Sequence, residues 1–161
     1  EIGVDEVCFG DTIGVGVPAQ VGPIVDLAVD RGIPLPGSSD RPVVQGAPLN
    51  QPKGVALDAQ GNIVVVNVGN EDVLTFSRAG QLIKTEKAAQ AGNDGLVIMN
   101  DGTKYVSSVQ NGGVSRIRPG QKAELIARNI PNAASMCYDP VNNQLVIPMN
   151  NGNALAFVSL N

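Results

Sequence analysis

The chain has 161 residues, 43% hydrophobic and 16% charged, a balance that supports an ordinary buried core and excludes wholesale disorder. A net charge of −4, with Lys and Arg scattered singly, offers no basic patch to a nucleic-acid backbone, and no apolar run nears the roughly 20 residues of a membrane-spanning helix. With 3% aromatics, no Trp, 19 Gly and 11 Pro, the core must be built from Val, Ile, Leu and Ala between many turns, which is the composition of short strands.

The first residue is Glu1 rather than Met, which suggests that a signal peptide, a tag or a longer N-terminal region is missing from these residues and favours a secreted or periplasmic setting. Residues 1–36 read as a divergent set of short strands with turns at Gly10 and Arg31-Gly32. Residues 37–50, rich in Pro, Gly and Ser, read as an inserted loop. Residues 51–88 then read as four short strands separated by turns at Gln60-Gly61-Asn62, Gly69-Asn70-Glu71 and Ala79-Gly80. Within them, Leu82 to Ala91 is better read as an outer strand and a loop than as a helix.

Residues 92–128 repeat that order, with turns at Asp101-Gly102, Asn111-Gly112-Gly113 and Pro119-Gly120. Residues 131–161 repeat it again, with turns at Asn142-Asn143 and Asn150-Asn151-Gly152, and stop after a third strand. Gly61, Gly102 and Asn143 follow one another at 41 residues. Four short strands recurring at a period of about 40 residues are the signature of β-propeller blades. The expected fold is all-β, about four blades of four antiparallel strands in a single domain spanning 1–161, the last blade incomplete. A β-sandwich would also use many short strands, but it does not require turns to recur in phase.

The motifs GVALDAQGNIVV (54–65) and NDGLVIMNDGTKYV (93–106) resemble those of NHL-repeat proteins and of the senescence-marker-protein/gluconolactonase family. The resemblance covers residues 52–161 well and residues 1–36 loosely. It implies a closed ring of six blades, so that residues preceding Glu1 or another chain would complete the ring, and a chain that is not a stable isolated monomer. It also implies a divalent cation, Ca²⁺ or Mg²⁺, held by Asn, Asp and Glu, which polarises a lactone carbonyl or prepares a water for attack. Asn93-Asp94-Gly95 is similar to one metal-binding motif of that family and Pro131-Asn132-Ala133 to a second, so the implied metal ligands are Asn93, Asp94 and Asn132. The equivalent stretch Gln51-Pro52-Lys53-Gly54 supplies a cation instead, and neither Asp5 nor Glu6 clearly matches the family's Glu. Lys53 is either a solvated lysine or, at a channel mouth, a holder of an anionic ligand.

Read from the residues alone, Asn93, Asp94 and Asn132 are equally the residues of local Asx turns. Asn70, Asn111, Asn142-Asn143 and Asn150-Asn151 suit hairpins that need positive φ, and Asp58 and Asp139 suit turn initiation. There is no His, which removes the commonest general base and the usual activation of Ser or Cys nucleophiles. Cys8 and Cys137 form no zinc motif; they would permit one disulfide, but their apolar strand-like contexts favour buried free thiols. No Gly-rich phosphate loop leads into a helix.

Two functions are compatible with these residues. One is a non-catalytic propeller binding a small ligand or protein partner at its channel face; the other is a divalent-metal-dependent lactone or ester hydrolase. The missing His and incomplete acidic set favour binding. Alternation of apolar positions predicts that Val55, Leu57, Val64, Val66, Val97, Val106, Leu145 and Ile147 are buried between blades, with no helix longer than three turns.

Overall fold

A computed structural model describes residues 42–161; the expected first blade, residues 1–36, and Cys8 lie outside the described residues. The chain divides into two units, Glu1–Pro42 and Val43–Asn161, and the second carries all the strands that follow. Its first sheet joins β1 (Pro52–Leu57), β2 (Ile63–Asn67), β3 (Asp72–Phe76) and β4 (Leu82–Lys87) in sequence order. The second joins β5 (Asn93–Ile98), β6 (Lys104–Ser108), β7 (Gly113–Ile117) and β8 (Glu124–Ala127) likewise, and the third joins β9 (Cys137–Asp139), β10 (Gln144–Met149) and β11 (Ala154–Ser159). All neighbouring strands are antiparallel, and among the described residues the only helical element is a 3-10 turn at Asn150–Gly152. These are two four-stranded blades and one three-stranded blade.

The turns explain why the strands start where they do. Gly61, Gly102 and Asn143 stand at the same place in the first turn of each blade, with φ of +77°, +82° and +49°. Gly reaches that region without a Cβ penalty, and Asn is the side chain that tolerates it best. Asp58 closes its turn by accepting from the Gln60 and Asn62 amides at 2.9 and 2.8 Å, and Asp139 does the same for Val141 at 3.0 Å. These Asx contacts bring each β-branched run back alongside the last.

The first and second sheets bury both faces of their middle strands, and the third buries the face of Leu145 and Ile147. Val64, Val66 and Val73 of the first blade meet Val106 and Ile117 of the second. On the other side of the second blade, Tyr105 and Val114 meet Leu145 and Ile147 of the third. Val65, Leu74 and Phe76, on the far face of the first blade, are covered by Val44 and Leu49 from the segment read as an inserted loop.

Of the eight positions expected to be buried, Val64, Val66, Val106, Leu145 and Ile147 are. Val55 and Leu57 are not, being 56% and 38% exposed. They lie on β1, which pairs with β2 alone, and they share the face of Val65 and Ile63, where no further blade stands among the described residues. Val97 is only half-buried because it lines an open cleft. Cys137 is likewise an exposed free thiol, not a buried one: it pairs with Val146 on the outward face of the third blade.

Candidate functional site

The candidate residues gather where the first strand of each blade begins. There the pairing of β1 with β2 and of β5 with β6 shifts register, between Pro52 and Val55 and between Asn93 and Leu96. Such bulges re-aim side chains and are frequent beside binding sites. Pro52 pairs with Asn67, Asn93 with Ser108, and Ala133 bridges to Met149. The preceding residues, Gln51, Gly92 and Asn132, all have positive φ (+54°, +76° and +54°), and their carbonyls accept from Val68, Val109 and Asn150. Asn132 therefore stands level with Gln51 and Gly92, one position before the level of Asn93. Lys53, exposed on β1, stands level with Asp94 and with Ala134.

Asn93 is fully buried. Its Nδ2 donates to the Asn70 carbonyl at 3.3 Å, in the β2–β3 turn of the preceding blade, while its Oδ1 is buried without a partner. Asp94 beside it is 8% exposed, and its Oδ1 accepts from Ser135 Oγ of the next blade across 3.4 Å. Of these sequence neighbours, Asn93 reaches back to the preceding blade and Asp94 forward to the next, where Ser135 is an added polar group.

Two residues passed over in the sequence support this arrangement. Ser107 Oγ donates to the Ala134 carbonyl at 2.6 Å and accepts from the Gly95 amide at 2.8 Å, a buried clamp between the second and third blades. Ser108 Oγ donates to the Ala91 carbonyl at 2.6 Å and accepts from the Asn111 amide at 3.0 Å. Asn67 plays the same part in the first blade, its Oδ1 accepting from Asn50 and its Nδ2 donating to the Asp72 carbonyl. The available signal was the pair Ser107-Ser108 ending an apolar strand, since a buried hydroxyl needs a partner.

An amide oxygen and a carboxylate are hard donors that suit Ca²⁺ or Mg²⁺ in kind. Ca²⁺ takes about six to eight oxygens, however, and among the described residues no three of His, Cys, Asp and Glu come close enough to hold a metal. Asn93 and Asp94 supply one amide and one carboxylate, short of such a set.

No protein-family model matches the chain, so the narrower NHL-repeat resemblance rests on the motifs alone. No curated protein matches it either. Among solved structures it is similar to hydrazine synthase of Kuenenia stuttgartiensis, with 12% identity over 79% of this chain and 36% of that one, at a TM-score of 0.60. A gluconolactonase of Xanthomonas campestris is similar at 21% identity over 73% of this chain and 40% of that one, TM-score 0.53. Virginiamycin B lyase of Staphylococcus aureus is similar at 11% identity over 71% of this chain and 43% of that one, TM-score 0.52. The chain spans about two-fifths of the length of these proteins. At such identities the likeness establishes the fold, a β-propeller present in part, and no activity.

Proposed function

We propose that the end of the blades bearing Asn93 and Asp94 is the recognition face of a non-catalytic propeller, which takes a small ligand or protein segment that presents N–H or ammonium donors. The observation that carries this reading is the buried, unpartnered Oδ1 of Asn93 beside a nearly buried carboxylate. An acceptor left unsatisfied in the interior costs about 1–3 kcal/mol, and a donor arriving from a ligand would restore that energy on binding. Asp94 adds the negative charge that selects a donor or cation over an anion.

Hydrolysis of a lactone is the second reading, favoured by the hard-oxygen chemistry of the same two residues. A divalent cation there would polarise the lactone carbonyl, with Asn93 and Asp94 holding it. Without His, the chain lacks the commonest group for moving the proton of an attacking water.

Titration with methylammonium and, separately, Ca²⁺ should shift the NMR signal of the Asn93 side-chain amide, and Asp94→Ala should remove both responses while leaving the fold intact. No glucono-lactone turnover above buffer is expected with Ca²⁺ present. An unmoved Asn93 amide in both titrations would sink the recognition face, and Ca²⁺-dependent turnover lost in Asp94→Ala would establish the hydrolase instead.

A further inference from the structure

At the other end of the same strands, between the second and third blades, lies a cleft of about 550 Å³. Tyr105 of β6, Arg116 of β7, Arg118 just beyond it and Tyr138 of β9 line it, together with Val97 and Met99. The sequence contains two tyrosines, and both are in this cleft. Its volume falls in the range of small-molecule sites, which combine apolar and aromatic lining with a few polar groups.

The repeat provides an internal control. A smaller cleft of about 370 Å³ occupies the equivalent place between the first and second blades. Strand register makes Val64 the counterpart of Tyr105, Thr75 of Arg116, Ile98 of Tyr138 and Lys84 of Glu124. Ser77, two residues after Thr75, is the counterpart of Arg118. The blade fold is therefore satisfied by Val, Thr, Ile, Ser and Lys at these places, and among the described residues the two tyrosines and paired guanidiniums are an addition specific to one cleft.

Arg116 Nη2 and Arg118 Nη1 converge on the two oxygens of Glu124, at 2.7 and 2.6 Å, and the Glu124 side chain is 47% exposed. Each guanidinium has five N–H donors, so most remain uncommitted to Glu124, and Arg116 Nε is buried without an acceptor. Asp101, the carboxylate that lines the cleft, is occupied by the Thr103 amide and hydroxyl at 2.9 and 3.0 Å. Asp101 in the lining and Glu124 behind the arginines offset the two guanidiniums, which disfavours a polyanion and suits one ligand carboxylate exchanging with the solvent-facing Glu124.

We propose that this cleft binds a small ring-bearing monocarboxylate, its ring against Tyr105 and Tyr138 and its carboxylate on Arg116 and Arg118 in place of Glu124. Planar guanidiniums match a carboxylate bidentately, and aromatic walls favour a flat or ring-shaped body. The proposal is independent of the recognition face at Asn93.

The test is titration of the whole 161-residue chain with benzoate and with its neutral isostere benzamide, followed through the tyrosine ring and arginine Nε–H signals. Benzoate should shift Tyr105, Tyr138 and Arg116 saturably and bind at least about tenfold tighter than benzamide, a difference of about 1.4 kcal/mol. Arg116→Thr and Tyr138→Ile, which copy the neighbouring cleft, should each weaken benzoate by about tenfold, and Glu124→Gln should tighten it by removing the competitor. Absence of saturable shifts, equal binding of benzamide, or unchanged affinity in Arg116→Thr overturns the proposal. Should a variant fold poorly, benzoate against benzamide on the unaltered chain still decides.

Discussion

Lys104 is buried where the first and second blades meet, at a position that is Ile63 in the first blade and Leu145 in the third. Its Nζ lies 2.9 Å from Glu86 Oε2, and Lys84 reaches Oε1 at 2.8 Å, so one carboxylate of β4 joins its own blade to the next. Burial pushes the Glu86 carboxyl up, but the two ammonium groups more than offset it and hold it below its ordinary 4.5. A carboxyl depressed in the folded state contributes stability that is complete above its unfolded value and is lost as pH falls through the folded one. Melting measured at pH 6 and near pH 3 should therefore fall further for the native chain than for Glu86→Gln; equal falls would show that the pair contributes nothing. Replacing Lys104 by Met should cost less than the roughly 3 kcal/mol of breaking an isolated buried pair, because Lys84 still neutralises Glu86. Denaturant unfolding gives the value. None of this was legible in the sequence: a lysine among apolar residues reads as a solvated head on an apolar stem, and its partner lies on another blade.

The elements were more legible than their exact register. Turn residues recurring at 41 residues located the strands because positive φ restricts which residues can occupy a turn. That rule fails by one residue in the third blade. Ile98 and Lys104, which pair across the β5–β6 turn, are six positions apart, while the equivalent Tyr138 and Leu145 are seven apart. The longer turn slides every inner-strand position of that blade by one, from 41 to 40 residues after its counterpart, so Ala133 rather than Asn132 stands level with Asn93. The same strands carry a requirement for glycine. A Cβ on Gly54 would collide with the Asp94 carbonyl oxygen and Val66 Cγ2, and one on Gly95 would come within 2.7 Å of the Ala134 oxygen and Ser107 Oγ. Each glycine lets the inner strand of the next blade approach. Gly95→Ala should destabilise by about 1–3 kcal/mol in chemical denaturation, the usual cost of overpacking, and an unchanged midpoint would mean that the blades yield there.

At the scale of the whole molecule, the internal faces predict how the outermost described face behaves. Val64 and Val66 of the first blade are fully buried by the second blade; their counterparts in the third are Val146 and Pro148, which pair with Phe157 and Leu155. Phe157 and Leu155 are 60% and 59% exposed, with Cys137 beside them on the same face. Among the described residues β11 is also the edge strand of the third sheet, so backbone groups that no described strand pairs adjoin an apolar surface. A face that the repeat buries elsewhere, joined to an open strand edge, favours association over isolation. The chain at micromolar concentration should scatter as a species heavier than its 16.6 kDa, and Phe157→Lys should lower that mass by placing a charge on both the face and the edge. The substitution leaves the internal blade contacts untouched, because Phe157 points away from the Leu145 and Ile147 cluster that its neighbours Ala156 and Val158 join. A monodisperse monomer for the native chain would mean that this face is covered within the chain itself, and the β11 edge would then be protected from amide exchange in the monomer.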